Sequence, residues 1–133
     1  DRDWMCATLG SSVEWRCKWV GSGYEMLNVL RRHAVPVVIC RRELPDSTWK
    51  SILVTLQEFH LPPSVLVLND REDIDLWTEV LNQGGFDTLH RRLDRESIVN
   101  AIRQAFRRWK RREEVLDARR KNVEARSQAH HAV

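Results

Sequence analysis

Hydrophobic positions along the chain switch between two periods, and the switches lay out its elements. In "SSVEWRCKWVGSG" the period is two. Val13, Trp15, Cys17 and Trp19 alternate with Glu14, Arg16 and Lys18, which predicts a half-buried strand at a sheet edge. "GYEMLNVLRRHA" turns helical, with Met26, Leu27 and Leu30 as its apolar stripe. "VPVVIC" is apolar on both faces, as a central parallel strand is, and its proline lies at the entry, where a missing donor is tolerated. "DSTWKSILVTLQEFH" has the clearest helical period. Asp46 or Ser47 is its expected cap, Trp49, Ile52, Leu53, Leu56 and Phe59 its core face, and Pro62 and Pro63 its stop. "SVLVL" predicts a second buried strand. "REDIDLWTEVLNQGG" predicts a helix with Ile74, Trp77 and Leu81 inward and Gly84 or Gly85 as a left-handed cap. "FDTLH" is a short strand, and Asp94 caps a last helix carrying Ile98, Ile102, Ala105, Phe106 and Trp109. Strands alternating with helices at this spacing predict an α/β fold with a parallel sheet covered on both faces.

Composition adds bounds to this plan. A chain of 133 residues with 42% hydrophobic and 31% charged residues reads as one ordinary globular domain. Cys6, Cys17 and Cys40 are odd in number and widely spaced. They match neither a disulfide framework nor a zinc pattern, and so predict reduced thiols and a cytoplasmic setting. No apolar run approaches the roughly 18 residues that span a membrane. "GSG" at 21–23 falls far short of a phosphate loop and reads as a turn before a helix. Charge is uneven. Arg103 to Arg126 holds ten Lys/Arg against four Asp/Glu, a local +6 in a chain of net +3.

The tail "RRWKRREEVLDARRKNVEAR" prolongs the last helix. Ile98, Ile102, Ala105, Trp109, Leu116 and Val123 keep a rough 4-3 spacing, broken by Arg112 and Arg119, which leaves a weak coiled-coil seam at best. Residues 1–112 are read as the domain, and 113–133 as a charged helical extension ending in a disordered tail that holds His130 and His131. The basic stretch Arg107, Arg108, Lys110, Arg111 and Arg112 suits nucleic acid, but no aromatic interleaving or recognised motif accompanies it. A solvated or signalling helix is the expectation, ahead of a nucleic-acid arm, with no membrane partner.

Several of these segments together resemble the receiver domains of bacterial response regulators. "GYEMLNVLRRHAVPVVIC" resembles their Gly-x-Glu-Ala-Leu helix and third strand, and "ELPD" resembles the Leu-Pro-Asp after the phosphoacceptor strand. "NQGGFDTLHRRLDRESIVNAI" resembles the Gly-Ala-x-Asp-Tyr-x-x-Lys-Pro-Phe segment and the following helix. The resemblance runs from about residue 4 to 112. It implies a flavodoxin-like doubly wound sheet, five strands in order 2-1-3-4-5, with "DRDWMCATLG" as the first helix. The family's central first strand would precede residue 1, so the chain reads as an N-terminally truncated receiver, ahead of one whose N-terminus is remodelled or supplied by a partner.

The resemblance also locates the family's site, and the site is altered. Counting back from Pro45, the phosphoaccepting aspartate falls on Arg41. The family's Ser/Thr falls on Asn69, its switch aromatic on Thr88, its lysine on Arg91 and the next proline on Arg92. Asp1 and Asp3 lie near the place of the metal-binding acidic pair but are not assignable to it. An arginine has no nucleophilic carboxylate and stays protonated, and its charge repels Mg²⁺. The resemblance with this departure implies a pseudo-receiver in two-component signalling, with no enzymatic activity, no metal and no cofactor. It would act on a protein partner or an adjoining output domain. Receivers also dimerise through their fourth helix, fifth strand and fifth helix, which here marks Trp77, Asp87 and Trp109. Three readings of Arg41 stay open: a lock replacing the metal, an anion or nucleotide pocket with Arg91, Arg92 and His90, or drift, with these side chains solvated or paired to Glu43 or Asp70.

Overall fold

The computed structural model describes residues 2–9 and 15–131. Its elements run α1 (Arg2–Leu9), α2 (Gly23–Arg32), β1 (Val37–Arg41), α3 (Trp49–Leu56), β2 (Ser64–Asn69), α4 (Ile74–Asn82), β3 (Asp87–His90) and α5 (Arg95–His131). The strands form one parallel sheet in the order β1-β2-β3. β2 is central and buried along nearly its whole length, as its unbroken "SVLVL" requires.

Two hydrophobic clusters lie on the two faces of the sheet. Met26, Leu30, Val38, Cys40, Trp49, Ile52, Leu53, Leu56, Val65, Val67, Leu76 and Val80 join α2, α3 and α4 to one face. Met5, Leu9, Leu66, Leu68, Leu89, Ile98, Ile102 and Ala105 join α1 and α5 to the other. Alternate residues of β2 enter opposite clusters, which is the period-two geometry of a strand buried on both sides.

Several expectations from the sequence are corrected. Residues 15–20 form no strand; Val13 and Glu14 lie outside the described residues. Trp15 and Trp19 still pack on the α1–α5 cluster while Cys17 is exposed, so two members of the alternation pack without backbone pairing. Apolar alternation selects a face, but a strand also needs a neighbour to bond. β1, read as central, is the outer strand of the described sheet, with Val37 and Ile39 half-buried.

Helix ends shift as well. Thr48 caps α3 in a reciprocal box with Ser51, displacing Asp46 and Ser47 from that role. α3 ends at Leu56, before the prolines are reached, and Phe59 N–H closes a turn onto the Leu56 carbonyl. On α4 the inward residues are Leu76 and Val80; Ile74, Trp77 and Leu81 face outward. Gly84, at φ +93°, is the left-handed residue after α4. Asp94 caps α5 through Ser97 N–H as expected. Phe106 is exposed rather than core, and the helix continues to His131, where the composition had suggested a disordered end.

Candidate functional site

The three strands end side by side at one edge of the sheet, where α/β folds place their chemistry. Arg41 closes β1 opposite Leu68, and Asn69 closes β2 opposite His90, the last residue of β3. Arg41, Arg91 and Arg92 are exposed. Arg91 Nε lies 3.3 Å from Asp70 Oδ1, and Arg42 Nη1 lies 3.8 Å from Asp73 Oδ2. Asn69 Nδ2 donates to the Arg71 carbonyl at 2.9 Å, which holds the loop after β2. His90 Nδ1 is buried and has no hydrogen-bond partner among the described residues. Thr88 is half-buried on β3 and donates its N–H to the Asp87 carboxylate. Arg91 and Arg42 therefore face carboxylates supplied by the loop into α4, and no group of three or more His, Cys, Asp or Glu is arranged to hold a metal among the described residues.

The loop after Arg41 is firmly fixed. Trp49 N–H donates to the Arg42 carbonyl, Leu44 N–H to the Ser47 carbonyl, and Glu43 bridges Thr48. Asp46 reaches away from this loop to α2, accepting Gly23 N–H at 2.9 Å and Tyr24 N–H at 3.0 Å. These donors hold the Asp46 carboxyl below its usual range, Gly23 contributing most. A Cβ on Gly23 would come within 2.5 Å of Ser47 Oγ, so the close approach of loop and helix depends on that glycine. The Leu-Pro-Asp turn thus acts as a clamp between the end of β1 and the start of α2. Sequence periodicity gave Asp46 a local cap; the real partner is 23 positions away and leaves no mark on the pattern.

A second surface lies on α4 and β3. Ile74 is 70% exposed, Trp77 44% and Leu81 39%, all along one side of α4. Trp77 Nε1 donates to Asp87 Oδ1 at 3.1 Å and so ties this side of α4 to β3. Trp109 does not join it. At 7% exposure it is buried, its ring 6.2 Å from that of Phe106, which removes it from any contact face. On α5, Arg107, Lys110, Arg111 and Arg112 are exposed, and Arg108 lies over the Phe86 ring. Burial, then the nearby Arg112, lowers the Arg108 pKa.

No family model matches the chain, nor does any curated protein sequence. Solved structures do. The signal receiver domain of a Luxo repressor protein from Vibrio parahaemolyticus superposes with a TM-score of 0.74 at 17% identity, over 86% of this chain and 87% of that one. The fold is that of a receiver domain. NtrX from Brucella abortus gives 0.74 at 16% identity over 88% of this chain, which spans 26% of that longer protein. The BeF3-activated DrrB receiver domain gives 0.64 at 19% identity, over 79% and 86% of the two chains. Arg41 stands at the end of β1, at one side of the described three-stranded sheet.

Proposed function

We propose that this chain is a receiver-fold regulatory module of the two-component type that does not accept a phosphoryl group and acts through protein contact. It is not an enzyme on this reading. The carrying observation is Arg41 at the exposed end of β1, where the resemblance puts the phosphoaccepting aspartate. A guanidinium cannot form an acyl phosphate, and it repels the divalent cation that such a transfer uses. The Arg91–Asp70 and Arg42–Asp73 pairs favour a site whose charges satisfy one another over a pocket held open for an anion. The contact surface is the exposed side of α4, Ile74, Trp77 and Leu81, fixed to β3 through Asp87. It suits an apolar partner surface, a second copy or an adjoining output domain included.

Incubation with Mg²⁺ and acetyl phosphate, followed by intact mass and amide chemical shifts, tests the central claim. The expected outcome is no phosphate adduct and no shift at residues 41, 69 and 88–92. A stoichiometric adduct on a carboxylate at the strand ends would overturn it.

A further inference from the structure

α5 spans 37 residues, and its charges divide by side. Viewed down an axis of 3.6 residues per turn, Glu113, Asp117 and Glu124 fall together. Basic residues beside them close local pairs: Lys110 with Glu113 at 2.7 Å, and Arg120 and Lys121 with Asp117 at 2.7 and 3.3 Å. The other side carries Arg107, Arg108, Arg111, Arg112, Arg119 and Arg126, with Glu114 at the border between the two. None of these six arginines has an ion pair or hydrogen bond to another described residue, and all but the half-buried Arg108 are exposed. Like charges at i and i+4, as at 107 and 111 or 108 and 112, destabilise a helix. An arrangement that carries this penalty with no internal counter-charge is complementary to an external polyanion.

The character of the face narrows the occupant. Val115 and, at its edge, Val123 are its large apolar side chains, both exposed, so it has no buried anchor of the kind that fixes protein interfaces. A lipid surface takes up the apolar side of an amphipathic helix; that side of α5 is packed on the sheet at Ile98, Ile102 and Ala105, and the arginine-bearing part beyond them exposes only Phe106, Val115 and Val123 as large apolar side chains besides the half-buried Leu116. Nucleic-acid interfaces are polar and strongly positive, and the guanidinium fork matches phosphate oxygens two at a time. From Arg107 to Arg126 the face runs about 28 Å at 1.5 Å per residue, close to one turn of duplex. We propose that the arginine face of α5 binds the phosphodiester backbone of nucleic acid without reading bases. This goes beyond the α4 contact surface and does not depend on it.

The full chain titrated against a fluorescent mixed-sequence DNA duplex, read by anisotropy at several salt concentrations, tests the proposal. If all six arginines meet phosphates, affinity falls about 10³-fold between about 50 and 200 mM salt. Replacing Arg107, Arg111, Arg112 and Arg119 with glutamine lowers the slope of log affinity on log salt by about 3.6. The pair Lys110→Gln and Lys121→Gln, on the opposite side, leaves it unchanged. Circular dichroism checks the helix, and single variants Arg111→Gln and Arg119→Gln, each lowering the slope by about 0.9, give the same reading if the quadruple variant unfolds. Absence of binding at 50 mM salt, or a slope untouched by the arginine variants, overturns the proposal. So does arginine-dependent capture by phosphatidylserine vesicles without DNA binding, which assigns the face to lipid.

Discussion

At the scale of single residues, two groups carry chemistry set by their surroundings. Burial pushes the Cys40 thiol up to about 12, while Cys6 and Cys17 are exposed. A maleimide at neutral pH is therefore expected to modify Cys6 and Cys17 rapidly and Cys40 only once denaturant opens the core, as peptide mass mapping would record. Asp46 is the second. Its folded pKa is depressed by the N–H groups of Gly23 and Tyr24, so its contribution to stability is present above the unfolded value and fades as pH falls through the folded one. Asp46→Asn is expected to lower the urea midpoint at pH 7 and to flatten its fall below about pH 4. An unchanged acid limb would show that the clamp contributes nothing. Cys40 was legible in the sequence because it sits inside an apolar run. The Asp46 clamp was not, because a long-range contact between a carboxylate and a helix start has no period.

At the scale of elements, α4 shows where a hydrophobic pattern underdetermines a helix. Ile74, Trp77 and Leu81 form one apolar stripe, Leu76 and Val80 another, and periodicity alone cannot say which one the sheet covers. The answer comes from the turn that ends the helix. Gly84 reverses the chain at positive φ, and Gly85 packs so tightly on Val80 that a Cβ there would meet Val80 Cγ1 at 2.5 Å. That contact turns Val80 inward and leaves Trp77 outside. Leu76→Ala is expected to cost about 2–5 kcal/mol in urea unfolding, and Ile74→Ala within about 0.5 kcal/mol of nothing. Equal costs would refute the assigned orientation. Gly84→Ala carries a further expected loss of about 1–2 kcal/mol from the left-handed backbone.

At the scale of the whole molecule, the order of helices and parallel strands from α2 onward could be read from periodicity, because each switch of period coincides with a turn or a cap. The stretch 15–20 could not. Trp15 and Trp19 do pack on the α1–α5 cluster, but Cys17 does not, and pairing depends on a neighbouring strand that side-chain pattern does not reveal. The strand-end position of Arg41, where the resemblance puts a carboxylate, was legible from the count back from Pro45. Of the loop carboxylates, Asp70 was named as a candidate partner and pairs with Arg91, whereas Asp73 was not, since it is an ordinary polar residue until the fold sets it beside Arg42. Sheet order also grades protection. In the described sheet β2 lies between two strands and β1 borders one. Amide exchange is expected to be slowest in 65–68 and measurably faster in 37–41; a reversed ranking would contradict the topology.

The length of α5 has a mechanical consequence. The helix is anchored to the sheet through Ile98, Ile102 and Ala105, near one end, and runs to His131. At 1.5 Å per residue, roughly 39 Å of it extends beyond Ala105, so a tilt of about 10° at the anchored end would sweep the far end through about 7 Å. A rearrangement too small to notice at the strand ends would become a displacement the size of a side chain at the tip, which makes this helix a lever arm.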